Sequence, residues 1–376
     1  MPRRDDHKVL KAWPTPTGAS LAFVGRPAPG LKPGRGVSRG QLLAVSKDPF
    51  SGDLRAPFSG SVASLAPGRI DLVHVEGMSG SPPAPVDLTD LFGPELAQTL
   101  KSLGADLPKP PPADEPLLIS AVVPEPGLEI TEALFSDQKP TLQRGLKILQ
   151  KLFPGRKIME VLPKNLSPLG ENEVIRYKET FPLTLPSLVR RRVLGLAKPE
   201  ADGIVGPAQL WALGSAARSG LPLTLIPITI QGFHYLAPQG LKLKNVLDAV
   251  NLKPMADDVV ILGGQATGRP TARLERGLRA SDQALTLIRR DKVAYQPGPC
   301  RLCGLCEKAC PMNLPIRAIS GKPMDSWHMH LPEAEKLLAG CAGCGACALA
   351  CPAQRPLLLL ALAAGASDPY GRRLAP

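Results

Sequence analysis

The chain has 376 residues, more than one ordinary core holds, so several domains are expected. Hydrophobic residues make up 44% and aromatic residues only 4%, so aliphatic side chains must fill the cores. The net charge is +12, but the basic residues are scattered and not interleaved with aromatics; this argues against nucleic acid and leaves an anionic partner, an anionic membrane surface or a plain basic exterior.

In chain order, residues 1–18 are charged and Pro-bearing and read as an irregular arm. From Leu21 short apolar runs alternate with Gly and Pro. The stretches Gly36–Leu42 (G-V-S-R-G-Q-L) and Ala56–Val62 (A-P-F-S-G-S-V) predict strands joined by tight turns, the pattern of a barrel-sandwich domain over 1–80. Such domains elsewhere carry biotin or lipoate on a hairpin Lys. Lys47 is the Lys of this hairpin region; it has no Met beside it and reads as a solvated turn residue. Residues 81–116 form a Pro-rich connector, with one short helix near Pro94–Leu103 and an extended run at Lys109–Pro112.

Residues 117–221 read as an α/β domain. The apolar run Leu117–Val123 predicts a buried strand, and Thr141–Phe153 an amphipathic helix with Leu142, Leu146, Leu149 and Phe153 on one face. Lys157–Leu162 is the next strand and Pro207–Ser219 a helix with Pro in its first turn, an order that suggests parallel strands. Arg190, Arg191 and Arg192 form a charge run, which reads as a solvated face. Residues 222–291 predict a β-grasp-like unit: a strand at Leu223–Ile230, a helix at Leu243–Val250, and strands at Val259–Leu262 and Ala284–Ile288. Gly263, Gly264 and Gly268 read as a turn after a strand.

Residues 292–376 contain all 8 Cys. Cys300, Cys303, Cys306 and Cys310 precede Pro311, and Cys341, Cys344, Cys347 and Cys351 precede Pro352. Each set is C-x2-C-x2-C-x3-C-P, the run that binds 4Fe–4S cubanes and whose fourth Cys ligates the other cluster. This assigns Cys300, Cys303, Cys306 and Cys351 to one cluster, and Cys341, Cys344, Cys347 and Cys310 to a second. A zinc site takes ligands in two pairs and explains neither the third Cys nor the Cys-Pro ending. Nothing at the start reads as a secretory signal, so disulfides are weaker still, and reduced thiolates favour the cytoplasm. His328 and His330 lie between the two sets, which already supply a full complement of ligands. A short helix is expected at Pro332–Ala339. The longest apolar run, Pro356–Ala366, is shorter than the ~18–20 residues of a membrane span and is expected to continue the helix after Cys351.

The order of parts resembles the RnfC family, one of the subunits of the Rnf ion-translocating electron-transport complex. The resemblance is carried by C-x-x-C-G-x-C-x-x-A-C-P-M-N-L-P from Cys300, the second cysteine set, Val37–Gln41, Ala56–Gly60, and Leu262–Gly263–Gly264 with Gly268. It implies a multidomain α/β and β fold: an N-terminal barrel-sandwich, an α/β domain like the flavin subunit of respiratory complex I, a β-grasp-like unit and a helical twin-cubane ferredoxin domain. It implies an iron–sulfur electron-transfer subunit relaying single electrons through two 4Fe–4S clusters. The subunit would lie peripherally on the cytoplasmic side of the membrane, bound to membrane subunits and another iron–sulfur subunit of the complex. Its donor would be a ferredoxin, a cytochrome or NADH. The alternatives are an NADH-oxidising subunit containing FMN, or a relay subunit of a soluble oxidoreductase. Family members that take NADH carry a G-x-G-G-x-G-F-P-T stretch whose amides cradle phosphate. Here the corresponding place, Thr99–Pro116, offers Gly104 and Asp106 with no Gly-x-Gly, which counts against FMN and NADH. Of the following E-C-E-P, only Glu125–Pro126 remains, and Glu125 is the FMN-site residue the resemblance carries over.

Overall fold

The computed structural model of the chain describes residues 9–14, 16–78, 80–289, 296–366 and 370. Most of its N-terminal strands are short because Gly and Pro interrupt them: β1 (Leu10–Ala12), β2 (Gly18–Ala22), β3 (Gly25–Pro27), β4 (Gly36–Val37), β5 (Leu42–Ser46), β6 (Leu54–Arg55), β7 (Gly60–Ala66) and β8 (Arg69–His74). Two sheets result, β2-β8-β7-β4 and β3-β5-β6, with antiparallel pairing throughout. Leu21, Leu43, Ala56, Phe58, Val62 and Ile70 form their shared core. Lys47 is exposed in a bend at the end of β5. The helix α1 (Gly93–Ser102) starts at the Pro94 turn, and Leu96 and Leu100 bury one face of it.

The middle of the chain is β9 (Leu117–Ser120), α2 (Ile130–Asp137), α3 (Lys139–Leu152), β10 (Ile158–Leu162), β11 (Glu173–Arg176), α4 (Pro186–Leu194), β12 (Ile204–Val205) and α5 (Pro207–Ser219). All pairs in the sheet β11-β10-β9-β12 are parallel. A parallel sheet must be covered on both faces, and successive residues of a strand point to opposite sides. Leu117, Ile119 and Ile158 accordingly pack with Leu142, Leu149, Leu210 and Leu213 of α3 and α5. Leu118, Met159 and Val161 pack with Val189 of α4 on the other side. Helices α3 and α5 touch backbone to backbone. A Cβ on Gly145 would lie 2.1 Å from the Leu210 carbonyl oxygen, and one on Gly214 would lie 1.9 Å from that of Thr141.

The run at 190–192 is not one solvated face. Arg190 is fully buried and pairs with Glu115 and with Glu200, the latter at 3.4 Å. Arg192 is exposed and lies over the Tyr177 ring, while Arg191 is half-buried. The residue on the inward face of α4 needed a carboxylate partner, and Glu115, just before β9, supplies it.

The next strands are β13 (Leu225–Ile230), β14 (Phe233–Pro238), β15 (Val259–Leu262), β16 (Arg269–Thr271) and β17 (Ala284–Ile288), with α6 (Leu243–Ala249) between β14 and β15. Their sheet runs β1-β14-β13-β17-β15-β16. The pairs β13–β14 and β15–β17 are antiparallel, and β13–β17 is parallel. Leu243, Val246 and Leu247 of α6 cover Ile226, Ile228, Ile230 and Leu285. The segment expected to be an irregular arm therefore contributes β1, an edge strand parallel to β14; residues 1–8 and 15 of that arm lie outside the described residues. The expected boundary near 291 also lies outside them.

The last part holds short helices: α7 (Leu305–Lys308), α8 (Ile316–Ser320), a 3-10 segment at Met324–His330, α9 (Leu331–Leu337), α10 (Ala346–Leu349) and α11 (Leu357–Ala363). No helix runs through Cys351. A turn at 351–355 separates α10 from α11, because the ring of Pro356 fits a first turn and not a helix interior. Helices this short are marginal alone, and here Ile316, Ile319, Trp327, Leu338, Leu357 and Leu360 hold them in one core. Among the described residues no helix is long and apolar enough to cross a membrane.

Candidate iron–sulfur centres

The eight cysteines line two separate cages. One is walled by Cys300, Cys303, Cys306 and Cys351, the other by Cys310, Cys341, Cys344 and Cys347. Each encloses about 320 Å³ free of protein atoms. Both grow from the same local device. A shift of 41 residues carries Cys300 onto Cys341 and Cys310 onto Cys351, and the backbone repeats with it. Gly304 and Gly345 both have φ near +72°, each capping the four-residue helix that carries the third Cys, α7 or α10. Leu302 takes φ +53° where its repeat mate Gly343 takes φ +60°. That left-handed turn points a backbone N–H back at the first sulfur: Leu302 N donates to Cys300 Sγ at 3.4 Å, and Gly343 N to Cys341 Sγ at 3.5 Å. Leu314 N donates to Cys310 Sγ at 3.5 Å. The fourth Cys follows the end of α7 or α10 and faces the opposite cage.

Among the described residues no three His, Cys, Asp or Glu side chains converge closely enough to hold a single metal ion. A tetrahedral zinc site needs four sulfurs about 2.3 Å from one centre. Four sulfurs around a wider cage suit a cubane, whose irons each take one thiolate. Burial pushes the thiols of Cys306 and Cys341 up, that of Cys344 up to about 11 and that of Cys347 up to about 12, with neighbouring cysteines adding to the rise at the last three. Thiolates there call for a cationic centre, which iron supplies. On the other cage wall, the Nε of buried Arg355 has no hydrogen-bond partner, an orphan donor that an anionic cluster would satisfy. The residues present thus fit iron–sulfur clusters. His328 and His330 line neither cage, and His330 faces Glu333 at 3.5 Å.

The cage of Cys341 lies against the α/β body: Ala342, Cys344 and Ala346 pack with Leu185 and Leu188. The cage of Cys300 faces outward, with Cys303 exposed.

Glu125 lies elsewhere. It is buried, and its carboxylate accepts from Ala266 N (2.7 Å), Thr267 N (2.8 Å), Thr267 Oγ1 (2.5 Å) and the Tyr370 hydroxyl. It grips the loop after β15 so closely that a Cβ on Gly264 would meet its carboxyl carbon at 2.0 Å. Gly263 and Gly264 are therefore more than a turn; they let the body and this loop close on one another. The contact escapes sequence reasoning because 141 residues separate Glu125 from Ala266.

A large open cleft of about 1520 Å³ lies between the α/β sheet and the β13 sheet, walled by Ser120, Thr131, Trp211, Gly263 and Tyr370 among others. Asp106 is the one charged side chain on its described wall, and no Lys, Arg or His lines it. Asp106 opens onto the cleft yet is closely walled, which pushes its carboxyl above the usual range despite a bond from Gly52 N. This wall does not fit the phosphate of FMN or NADH.

Comparison with known proteins agrees with the cysteine geometry. Residues 299–355 match the 4Fe-4S dicluster domain family. Two curated relatives from Rhodobacter capsulatus, both named as the RnfC component of an ion-translocating oxidoreductase complex, are 22% identical over 74% of this chain, and the match spans 63% of their length. Two crystal structures of NAD+-reducing [NiFe]-hydrogenase also align. The air-oxidised form has TM-score 0.45 and 14% identity, covering 72% of this chain and 56% of that one. The H2-reduced form has TM-score 0.37 and 13% identity, covering 53% and 45%. The chain is thus similar to the RnfC component of ion-translocating oxidoreductase complexes over 74% of its length, with a match to the 4Fe–4S dicluster family across its cysteine-bearing residues.

Proposed function

We propose that the chain is an iron–sulfur electron-transfer subunit of a membrane-associated, Rnf-type ion-translocating oxidoreductase complex, and that it holds two 4Fe–4S clusters. Cys300, Cys303, Cys306 and Cys351 hold one, and Cys341, Cys344, Cys347 and Cys310 the other. The observation that carries this is the cross-supply of the fourth cysteine in both directions. When bound, such clusters accept and release single electrons without bond making. The cysteines fix both clusters in one small core built by α7, α8, α10 and α11, the amides of Leu302, Leu314 and Gly343 donate to the ligating sulfurs, and the apolar walls exclude water. The partners are the membrane subunits of the complex and its other iron–sulfur subunit; the donor is a ferredoxin or a cytochrome. Attachment is peripheral, on the cytoplasmic side of the membrane. The division into barrel-sandwich, α/β, β-grasp-like and dicluster units belongs to the same reading.

The NADH-oxidising alternative needs a phosphate cradle. The Gly104–Asp106 wall gives a carboxylate in that place, so no step is assigned to FMN. Glu125 is assigned to the loop clamp. Cys351→Ala tests the cross-supply: paramagnetic resonance on the reduced protein should lose the cluster of Cys300, Cys303 and Cys306 and keep the other. Loss of the Cys341 cluster alone would refute the ligand assignment. Flavin fluorescence of the denatured, purified chain should be absent; stoichiometric FMN would restore the alternative.

A further inference from the structure

The two cages share a backbone but not a chemistry. At four repeat-equivalent positions the outer region around the Cys300 cage carries Arg301, Arg317, Ser320 and Arg355, where the repeat mates are Ala342, Leu358, Ala361 and Leu314. The four polar residues all line the Cys300 cage, and no charged side chain lines the Cys341 cage. We infer that the Cys300 cage holds the higher-potential cluster, and that Arg355 is the main residue setting this order. The inference rests on the two-cluster reading above.

Arg355 is 3% exposed. Its Nη1 donates to the Gly298 carbonyl (3.2 Å), its Nη2 donates to that of Lys322 (2.6 Å), and its guanidinium lies 4.9 Å from the Trp327 ring centre. These partners are neutral, and its Nε has none. A buried cation without a counter-charge is costly, so the missing anion belongs in the cage that Arg355 lines. A thiolate-ligated cluster is anionic when oxidised and more so when reduced. A fixed buried cation therefore favours the reduced form and raises the potential. Ser320 is buried with its Oγ 4.0 Å from Cys306 Sγ, and a hydroxyl there acts in the same direction.

Arg301 is exposed, and Arg317 is half-exposed and sits 3.6 Å from Glu307, so solvent and that carboxylate screen both. Solvent access adds to the difference: Cys303 is exposed, whereas Cys344 and Cys347 are buried among Ala, Leu, Ile and Met. An apolar wall disfavours added charge and keeps the inner potential low. Electrons then run downhill from the cage against the α/β body to the outer cage.

The test is an anaerobic redox titration of the full chain followed by paramagnetic resonance, with Cys351→Ala identifying which signal belongs to the Cys300 cage. That signal should appear first on reduction. In Arg355→Leu its reduced-to-oxidised ratio at a fixed potential should fall at least tenfold, about 59 mV for one electron, with the other signal unmoved. Leu314→Arg should move the other signal upward, and Arg355→Lys should retain most of the wild-type value. If Arg355→Leu does not assemble, Ser320→Ala should give a smaller downward shift of the same signal. An earlier signal from the Cys341 cage, or an outer signal that neither variant moves, overturns the inference. Iron and acid-labile sulfide on the same samples separate the two failures: fewer than two clusters in the wild type sinks the two-cluster reading, while two clusters in the wrong order sink this inference alone.

Discussion

Glu125 is the residue the family resemblance offers for a flavin, and its carboxylate is occupied by two amides and two hydroxyls. Removing it leaves several buried donors without an acceptor, each costing about 1–3 kcal/mol. Glu125→Ala should lower the melting temperature by several degrees while iron content stays near wild type; lost iron with unchanged melting would contradict the clamp. Asp106 offers a second single-residue test. Its carboxyl is raised above 3.8 by enclosure, so the folded state binds its proton more tightly than the unfolded chain does. Stability then declines as pH rises from about 3.8 through the folded value, and the charged form is a burden near neutrality. Asp106→Asn keeps an acceptor for Gly52 N–H and removes that burden. Its melting temperature near neutral pH should rise, and a fall would contradict the account.

At the scale of elements, the most legible pieces were those with strong periodicity. The helix α3, with Leu142, Leu146 and Leu149 on one face, and the buried strands β10, β15 and β17 stand within a few residues of their sequence-based positions. Pro207 marked the start of α5, and Pro356 marked the start of α11, where a continuous helix was expected instead. The elements that sequence reading lacked are held by distant partners. β1 is Leu-Lys-Ala, without a pattern of its own, and exists because β14 pairs with it. The inward face of α4 includes Arg190, which no hydrophobic period shows, and its carboxylate at Glu115 is 75 residues away. The α3–α5 crossing was equally silent, since a helical glycine reads as a weak position until its neighbour is known. Gly214→Ala should force the two helices apart and cost about 2 kcal/mol or more, read as a lowered denaturation midpoint. An unchanged midpoint would show that the backbones do not touch there.

For the whole molecule, the cysteine spacing made the cages legible from the sequence alone, because tight loops around a cluster leave a rigid interval between ligands. The inequality of the cages was written at Arg355 and Leu314, yet it gained meaning only when the fold put Arg355 in a wall without a counter-charge. The cleft shows the opposite case: the missing Gly-x-Gly pointed away from a phosphate cofactor, and the assembled wall, with Asp106 and no cation, agrees. What remains is a chain whose redox chemistry is concentrated in one small helical core pressed against a large α/β body. The most direct test of that account is the iron and acid-labile sulfide content of anaerobically purified protein. Two cubanes predict about eight of each per chain, with two reducible paramagnetic signals. About four of each, or zinc in place of iron, would contradict it.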